Sequence, residues 1–206
     1  MKSEKTTSGA FNPEVIPTIA CFNNATLALG VDFDSLIAAM QKYVDVHVAP
    51  VWGTPAKLIK ARGFKRGAWA MVFLDNADQP GALAYHDLTP DGLPISKVFV
   101  KTTLDDKYLV SVSASHELVE MLVDPAVNMM TTGPDPKATY DYECADPVEE
   151  ESFPVRNSDE RFRLARLFRI LPPAQVRAVR SQEARDQALS DSQRRLSGCD
   201  EGRKGH

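Results

Sequence analysis

Three things are scarce in this 206-residue chain: cysteine, long apolar runs and, over most of its length, arginine. The three cysteines, Cys21, Cys144 and Cys199, are an odd number without C-x-x-C spacing, which argues against a disulfide framework and against a thiolate zinc cluster. No stretch approaches the roughly 18 uninterrupted apolar residues of a membrane helix. Pro13 and Pro17 interrupt the apolar stretch nearest the start, so no secretory signal can be drawn and the expected location is cytoplasmic. Only 3 of the 13 arginines lie in residues 1–160, where 23 acids leave a net charge of −10. Residues 161–206 hold the other 10 arginines and one lysine against 5 acids, a net of +6. That reversal marks a boundary near Glu160.

What is present is ordinary for a soluble globular protein: 43% hydrophobic and 25% charged residues. The chain is expected to comprise a polar, disordered leader (1–14), one domain (15–160) and an Arg-rich tail (161–206) that is mobile or partly helical. The tail has two aromatics, Phe162 and Phe168, and no strand pattern. A nucleic-acid partner is expected only through this tail, and no membrane partner is expected.

Within the domain, Val15–Phe22 reads as a first strand, and Asp32 or Asp34 caps a helix through Leu36, Met40, Tyr43 and Val48 that Pro50 should stop. A short helix is expected over Ala56–Ala61. Ala68–Leu74 is an unbroken apolar run, the pattern of a central strand buried on both faces. Ala82–His86 and Lys97–Thr102 flank a turn-rich segment and suggest a rim hairpin. Leu109–Val123 reads as a helix with Val110, Ala114, Leu118, Met121 and Leu122 along one stripe and His116 and Glu120 on an adjacent face.

The sequence His116-Glu-Leu-Val-Glu120 carries the chemistry. On a helix, residues i and i+4 share a face, so the His116 imidazole and Glu120 carboxylate can converge. Glu117 stands to His116 as the general-base glutamate of His-Glu-x-x-His stands to its first zinc ligand. A catalytic zinc takes three protein ligands and a water, and the richest source of a third is Glu143-Cys-Ala-Asp146. Glu143 is the expected ligand, with Asp146 accepting from the second ring nitrogen of His116. The five residues alone also fit an ordinary solvated helix; Glu143 and Asp146, in an otherwise aromatic and apolar segment, tilt the balance a little toward a site. Cys144, without a neighbouring cation or base, reads as a buried structural thiol. His86 is a tentative substrate contact, although a surface imidazole fits its strand-end position better.

A wider resemblance rests on Ser115-His-Glu-Leu-Val-Glu-Met-Leu-Val-Asp-Pro125 with Gly81-Ala-Leu-Ala-Tyr-His-Asp87, Lys97-Val-Phe-Val100 and Tyr142-Glu-Cys-Ala-Asp-Pro-Val-Glu149. Together these segments resemble an uncharacterised bacterial and phage-associated zincin-like family with a Ser-His-Glu-x-x-Glu helix, over roughly residues 15 to 153. A more distant resemblance, in which a downstream Gly-Glu-Ile-x-Asp segment aligns with Glu143 and Asp146, runs to exordium-like proteins. The resemblance implies an α+β (α/β-like) zincin-like mixed sheet with an active-site helix beneath its rim strand. It also implies His116, Glu120 and Glu143 as zinc ligands, and Glu117 as the base. After Pro154 the chain departs from the family's aromatic, strand-like continuation, which an altered reading frame or a genuine basic appendage would explain.

The expected function is a zinc-dependent peptidase or hydrolase acting on a peptide or protein substrate, in which Glu117 activates a metal-bound water. The alternative is a non-catalytic metal-binding or zincin-like interaction module, with Glu143, Asp146 and Glu149 suiting Ca2+ or another hard ion.

Overall fold

The structure is a computed structural model and describes residues 16–132, 139–149, 151–156 and 161–166. The leader (1–14) and the tail beyond residue 166 lie outside the described residues.

The apolar run at residues 68–74 forms the middle of the main sheet. Its strand β3 (Trp69–Leu74) pairs in parallel with β1 (Thr18–Asn23) on one side and with β5 (Pro94–Phe99) on the other. The edges are β2 (Lys57–Lys60), parallel to β1, and β4 (Ala84–Leu88), antiparallel to β5, giving the order β2-β1-β3-β5-β4. A central parallel strand is covered on both faces, which is why β3 needs apolar residues without alternation. Met71 and Phe73 face the larger core with Ile19, Cys21 and Val98. Ala70 and Val72 join Phe22 and Ile95 in a smaller cluster on the opposite face.

The larger core is completed by α1 (Phe33–Tyr43) and α4 (Val110–Val123). Asp32 caps α1 by accepting from the Ser35 amide at 2.8 Å. Pro50 does not stop this helix. The chain runs from α1 through a wider π turn (Val44–Val48) into α2 (Ala49–Trp52), and Pro50 occupies the first turn of α2, where its missing N–H matters least. Gly53, at φ 71°, ends the helix in the left-handed conformation.

Residues 56–61 are not a helix. Lys-Leu-Ile-Lys forms the edge strand β2, with Leu58 turned into the core. A side chain of α1 makes this stable: Gln41 accepts from the Leu58 amide at 2.7 Å and donates to the Ala56 carbonyl at 3.0 Å, satisfying edge groups that a strand leaves open.

The rim hairpin is present but shifted. The second strand ends at Phe99, and residues 100–105, expected in part as strand, form the short helix α3 (Val100–Asp105) leading into α4.

Beyond α4 lie two hairpins, β6 (Met130–Thr132) with β7 (Thr139–Asp141) and β8 (Ser152–Arg156) with β9 (Arg161–Ala165). The second corrects the domain boundary. A cut at residue 160 falls inside this hairpin, and residues 161–165, assigned to a tail without strand pattern, form β9, which packs on α1 and α4. Phe162 and Leu164 are 1% and 0% exposed while Arg163 between them is exposed, a period-two pattern. Two serines of α4 fasten the strand: Ser111 donates to the Arg163 carbonyl at 2.8 Å, and Ser115 accepts from the Ala165 amide at 2.7 Å. The architecture is a mixed α/β arrangement on a mixed parallel and antiparallel sheet. Among the described residues no helix is long and apolar enough to cross a membrane.

Candidate metal centre

Helix α4 is enclosed on nearly every side, by β4 and β5 on the sheet side and by β9 on another. Its polar residues therefore have few places to go, and burial of a carboxylate without compensation costs several kcal/mol. Glu117 and Glu120 are nonetheless 7% and 2% exposed. Each meets a histidine.

On one side, His116 and Glu120 meet as their i,i+4 spacing requires, with Nε2 3.3 Å from Oε2. Asp146, which opens a 3₁₀ turn (Asp146–Val148), brings Oδ1 to 3.1 Å from the same Nε2. The other oxygen of Glu120, Oε1, accepts from the amides of Ala145 and Asp146 at 3.1 and 3.3 Å. Glu120 thus holds in place the segment that delivers Asp146. One ligand atom each of His116, Glu120 and Asp146 lie within 4.8 Å of one another.

Two expectations change here. Asp146 does not support the far ring nitrogen of His116; it shares the nitrogen that Glu120 faces and stands where a third ligand would. Glu143, the expected ligand, belongs to neither of the two convergent groups formed among the described residues. Residues 142 and 143 belong to no helix or strand, a bend follows at Cys144 and Ala145, and the amide hydrogen bonds to Glu120 hold residues 145 and 146 against α4. Cys144 is buried, as expected; burial first, and the Glu120 charge second, push its thiol well above the usual range.

On the sheet side, His86 of β4 places Nδ1 3.4 Å from Glu117 Oε2. Its side chain is only 5% exposed, so the surface imidazole expected at this strand end is instead a buried one beside Glu117, outside the cleft lining. His86, Glu117 and Glu120 form the second convergent group, sharing Glu120 with the first. Sequence periodicity could not reveal this pairing, because it joins a strand to a helix 31 residues away. The one available signal was an imidazole inside a strand otherwise apolar on that face.

The protonation tendencies follow from this crowding. For His116, burial alone would lower the pKa, but the Glu120 charge, the Asp146 hydrogen bond and Glu117 outweigh it and raise it well above the ordinary imidazole value. His86 is likewise raised, because the hydrogen bond and charge of Glu117 overcome burial. Burial pushes the Glu117 carboxyl up and the Glu120 charge adds to this, against the opposing pull of the His86 hydrogen bond and of both imidazoles. All three shifts express one condition: carboxylate charge crowded into a shielded space favours the protonated forms of His116, His86 and Glu117.

A cleft of about 430 Å³ opens over this group. His116, Glu117 and Asp146 line it together with Leu83 and Ala84 at the start of β4, Tyr108 and Val112, and with Glu149. Glu120, almost fully buried, lies outside that lining. Among known proteins, no family model, curated sequence or solved structure matches this chain.

Proposed function

We propose that the chain is a metal-dependent hydrolase of peptide or related carbonyl bonds, with His116, Glu120 and Asp146 holding one divalent ion and Glu117 serving as general base. The observation that carries this reading is the convergence of two carboxylates on the His116 Nε2, at 3.1 and 3.3 Å, on the floor of a cleft that Glu117 also lines.

The donor set fits such an ion. One imidazole and two carboxylates suit zinc, and the two carboxylates balance its divalent charge. Once bound, the ion would supply Lewis acidity, lowering the pKa of water and polarising a carbonyl.

The remaining work falls to the chain's own residues. Glu117 takes the proton from water in the cleft; burial and the adjacent Glu120 charge bring its pKa up toward the range in which a carboxylate is an effective base. His86, bonded to one Glu117 oxygen, limits the rotation of that carboxylate. Leu83 and Ala84 lie where the antiparallel edge strand β4 begins, so an extended peptide can reach the cleft while pairing along β4. A rim strand beside the helix bearing the site is also what the zincin-like resemblance implies.

The second reading, a non-catalytic ion-binding module, draws on the same oxygen-rich set: Glu117, Glu120 and Asp146 outnumber the imidazoles, and Glu149 stands at the cleft, which suits calcium. Elemental analysis of the purified protein, followed by assay of the zinc-loaded form on a mixed peptide substrate, separates the two. Zinc at one equivalent with hydrolysis is expected; calcium retention without hydrolysis selects the module.

A further inference from the structure

The sheet beneath His86 holds a second polar side chain that the proposed chemistry leaves unused. Ser96 of β5 is 0% exposed, and its hydroxyl has no hydrogen-bond partner among the described residues. The same holds for the Nε2 of His86, whose Nδ1 faces Glu117. Such atoms are costly, since each gives up the hydrogen bonds it made to water; Tyr43, Trp52 and Thr54 carry three others among the described residues.

The two atoms do not bond to each other in the structure, yet their residues are neighbours. In the antiparallel β4–β5 ladder His86 and Ser96 are directly opposite one another. Opposed residues stand on the same face, with Cβ atoms roughly 4.5–5.5 Å apart. Ser96 shares that face with Val98, which belongs to the core formed with α4, whereas Tyr85 and Lys97, the next opposed pair, meet on the other face. Serine has three staggered rotamers and a freely turning hydroxyl, so it can aim Oγ at the neighbouring imidazole. The hydroxyl both donates and accepts, so it suits Nε2 whether that nitrogen carries a proton or not.

We infer that a turn of the Ser96 side chain onto His86 Nε2 closes a buried relay of Ser96, His86 and Glu117, running from the sheet to helix α4, that orients the Glu117 carboxylate toward the cleft. It rests on the proposed role of Glu117 as base. In it, Ser96 and His86 are positioning residues and neither touches substrate. Ser96 locks the ring plane of His86, and the ring in turn holds one Glu117 oxygen. Sheet strands are stiffer supports than loops, so the base is set by β4 and β5 while the ion is held by α4 and the 3₁₀ turn.

The test uses the full chain, zinc-loaded and labelled with 15N at histidine. Four histidines give four imidazole signatures, and His86→Asn identifies one of them by its loss. Ser96→Ala should shift the His86 Nε2 resonance, leave the His116 resonances in place and leave zinc content unchanged. Ser96→Cys, close in size and a poor hydrogen-bonding group, carries the same expectation should the alanine variant not fold. In peptide hydrolysis, His86→Ala should lower kcat about 10–100-fold with KM little changed. His86→Asn, whose amide nitrogen can stand in for Nδ1, should recover a good part of that loss. A His86 Nε2 resonance that ignores the loss of the Ser96 hydroxyl overturns the relay, as does an asparagine no better than alanine. If the wild type hydrolyses no peptide, the proposed function fails, and the Ser96-dependent shift still decides whether the relay exists.

Discussion

Two histidine–carboxylate pairs sit on either side of α4, alike in chemistry and different in surroundings. On the sheet side, His86 and Glu117 have side chains 5% and 9% exposed. On the loop side, His116 and Asp146 are 15% and 20% exposed and both line the cleft. Residue chemistry is the same on both sides of the helix, and solvent access is what differs. A pair sealed against a sheet can orient a neighbour but cannot exchange ligands with solvent, whereas a pair at the cleft can take up an ion. Glu120, shared by both groups, is the hinge of the comparison.

The largest expected effects test that division directly. His116→Ala should abolish stoichiometric zinc binding, while His86→Ala should leave it within about tenfold, as measured by calorimetric titration; the bound fixes the difference between a ligand and a supporting residue. Equal losses would erase the distinction between the two sides. Glu117→Gln should retain zinc but lower hydrolysis by about 10²–10⁴, as loss of a general base does, whereas Glu120→Gln should lose the ion as well. Metal content and rate measured on the same preparations check this.

The loop side also depends on the hairpin that packs on α4. Phe162→Ala should destabilise the fold by about 3–5 kcal/mol in denaturant unfolding, because a fully buried aromatic is removed from the shared core. A change below about 1 kcal/mol would mean that β9 is not integral to the domain. Ser115→Ala, which strips the Ala165 amide of its acceptor, should cost less, about 1–3 kcal/mol.

A subtler effect is the dependence on pH. His116 and His86 have raised pKa values in the folded, ion-free protein, so their stabilising contribution is fully present below the ordinary imidazole value, roughly 6.5, and is lost as pH rises through the raised values. Glu117, also raised, acts in the same direction: the folded state keeps a proton that the unfolded chain releases, so stability falls as pH climbs from the normal carboxyl range to the raised one. The ion-free protein should therefore melt at lower temperature as pH increases past neutral. Zinc, which replaces those protons, should add more to the melting temperature at high pH than at low. A zinc gain independent of pH would contradict the site's electrostatics.

The sequence was most legible where one physical demand dominated. A central strand must be apolar throughout, so Ala68–Leu74 announced β3. The helix through His116 was readable from its stripe, and the i,i+4 geometry delivered the His116–Glu120 contact. Legibility failed where a distant partner decides. Residues 56–61 look helical until Gln41 supplies hydrogen bonds to a strand. Pro50 looks like a stop until a π turn accommodates it. A linear reading favours Glu143 over Asp146 as ligand, and the docking of the Ala145 and Asp146 amides on Glu120, which brings Asp146 to His116, leaves no trace in the sequence. The basic composition of the last 46 residues obscured the short alternation Phe162-Arg-Leu164 that builds β9. His86 was visible, but its partner lies across a turn, two strands and a helix.

The proposed function stands on one divalent ion held by His116, Glu120 and Asp146. Anomalous diffraction at the zinc edge from crystals of the zinc-loaded chain tests it most directly. A single peak about 2 Å from His116 Nε2 and from carboxylate oxygens of Glu120 and Asp146, with Glu117 beside it and unligated, is the predicted result. A peak coordinated by Glu143 in place of Asp146, or no peak at this cleft in crystals soaked at saturating zinc, would contradict the account.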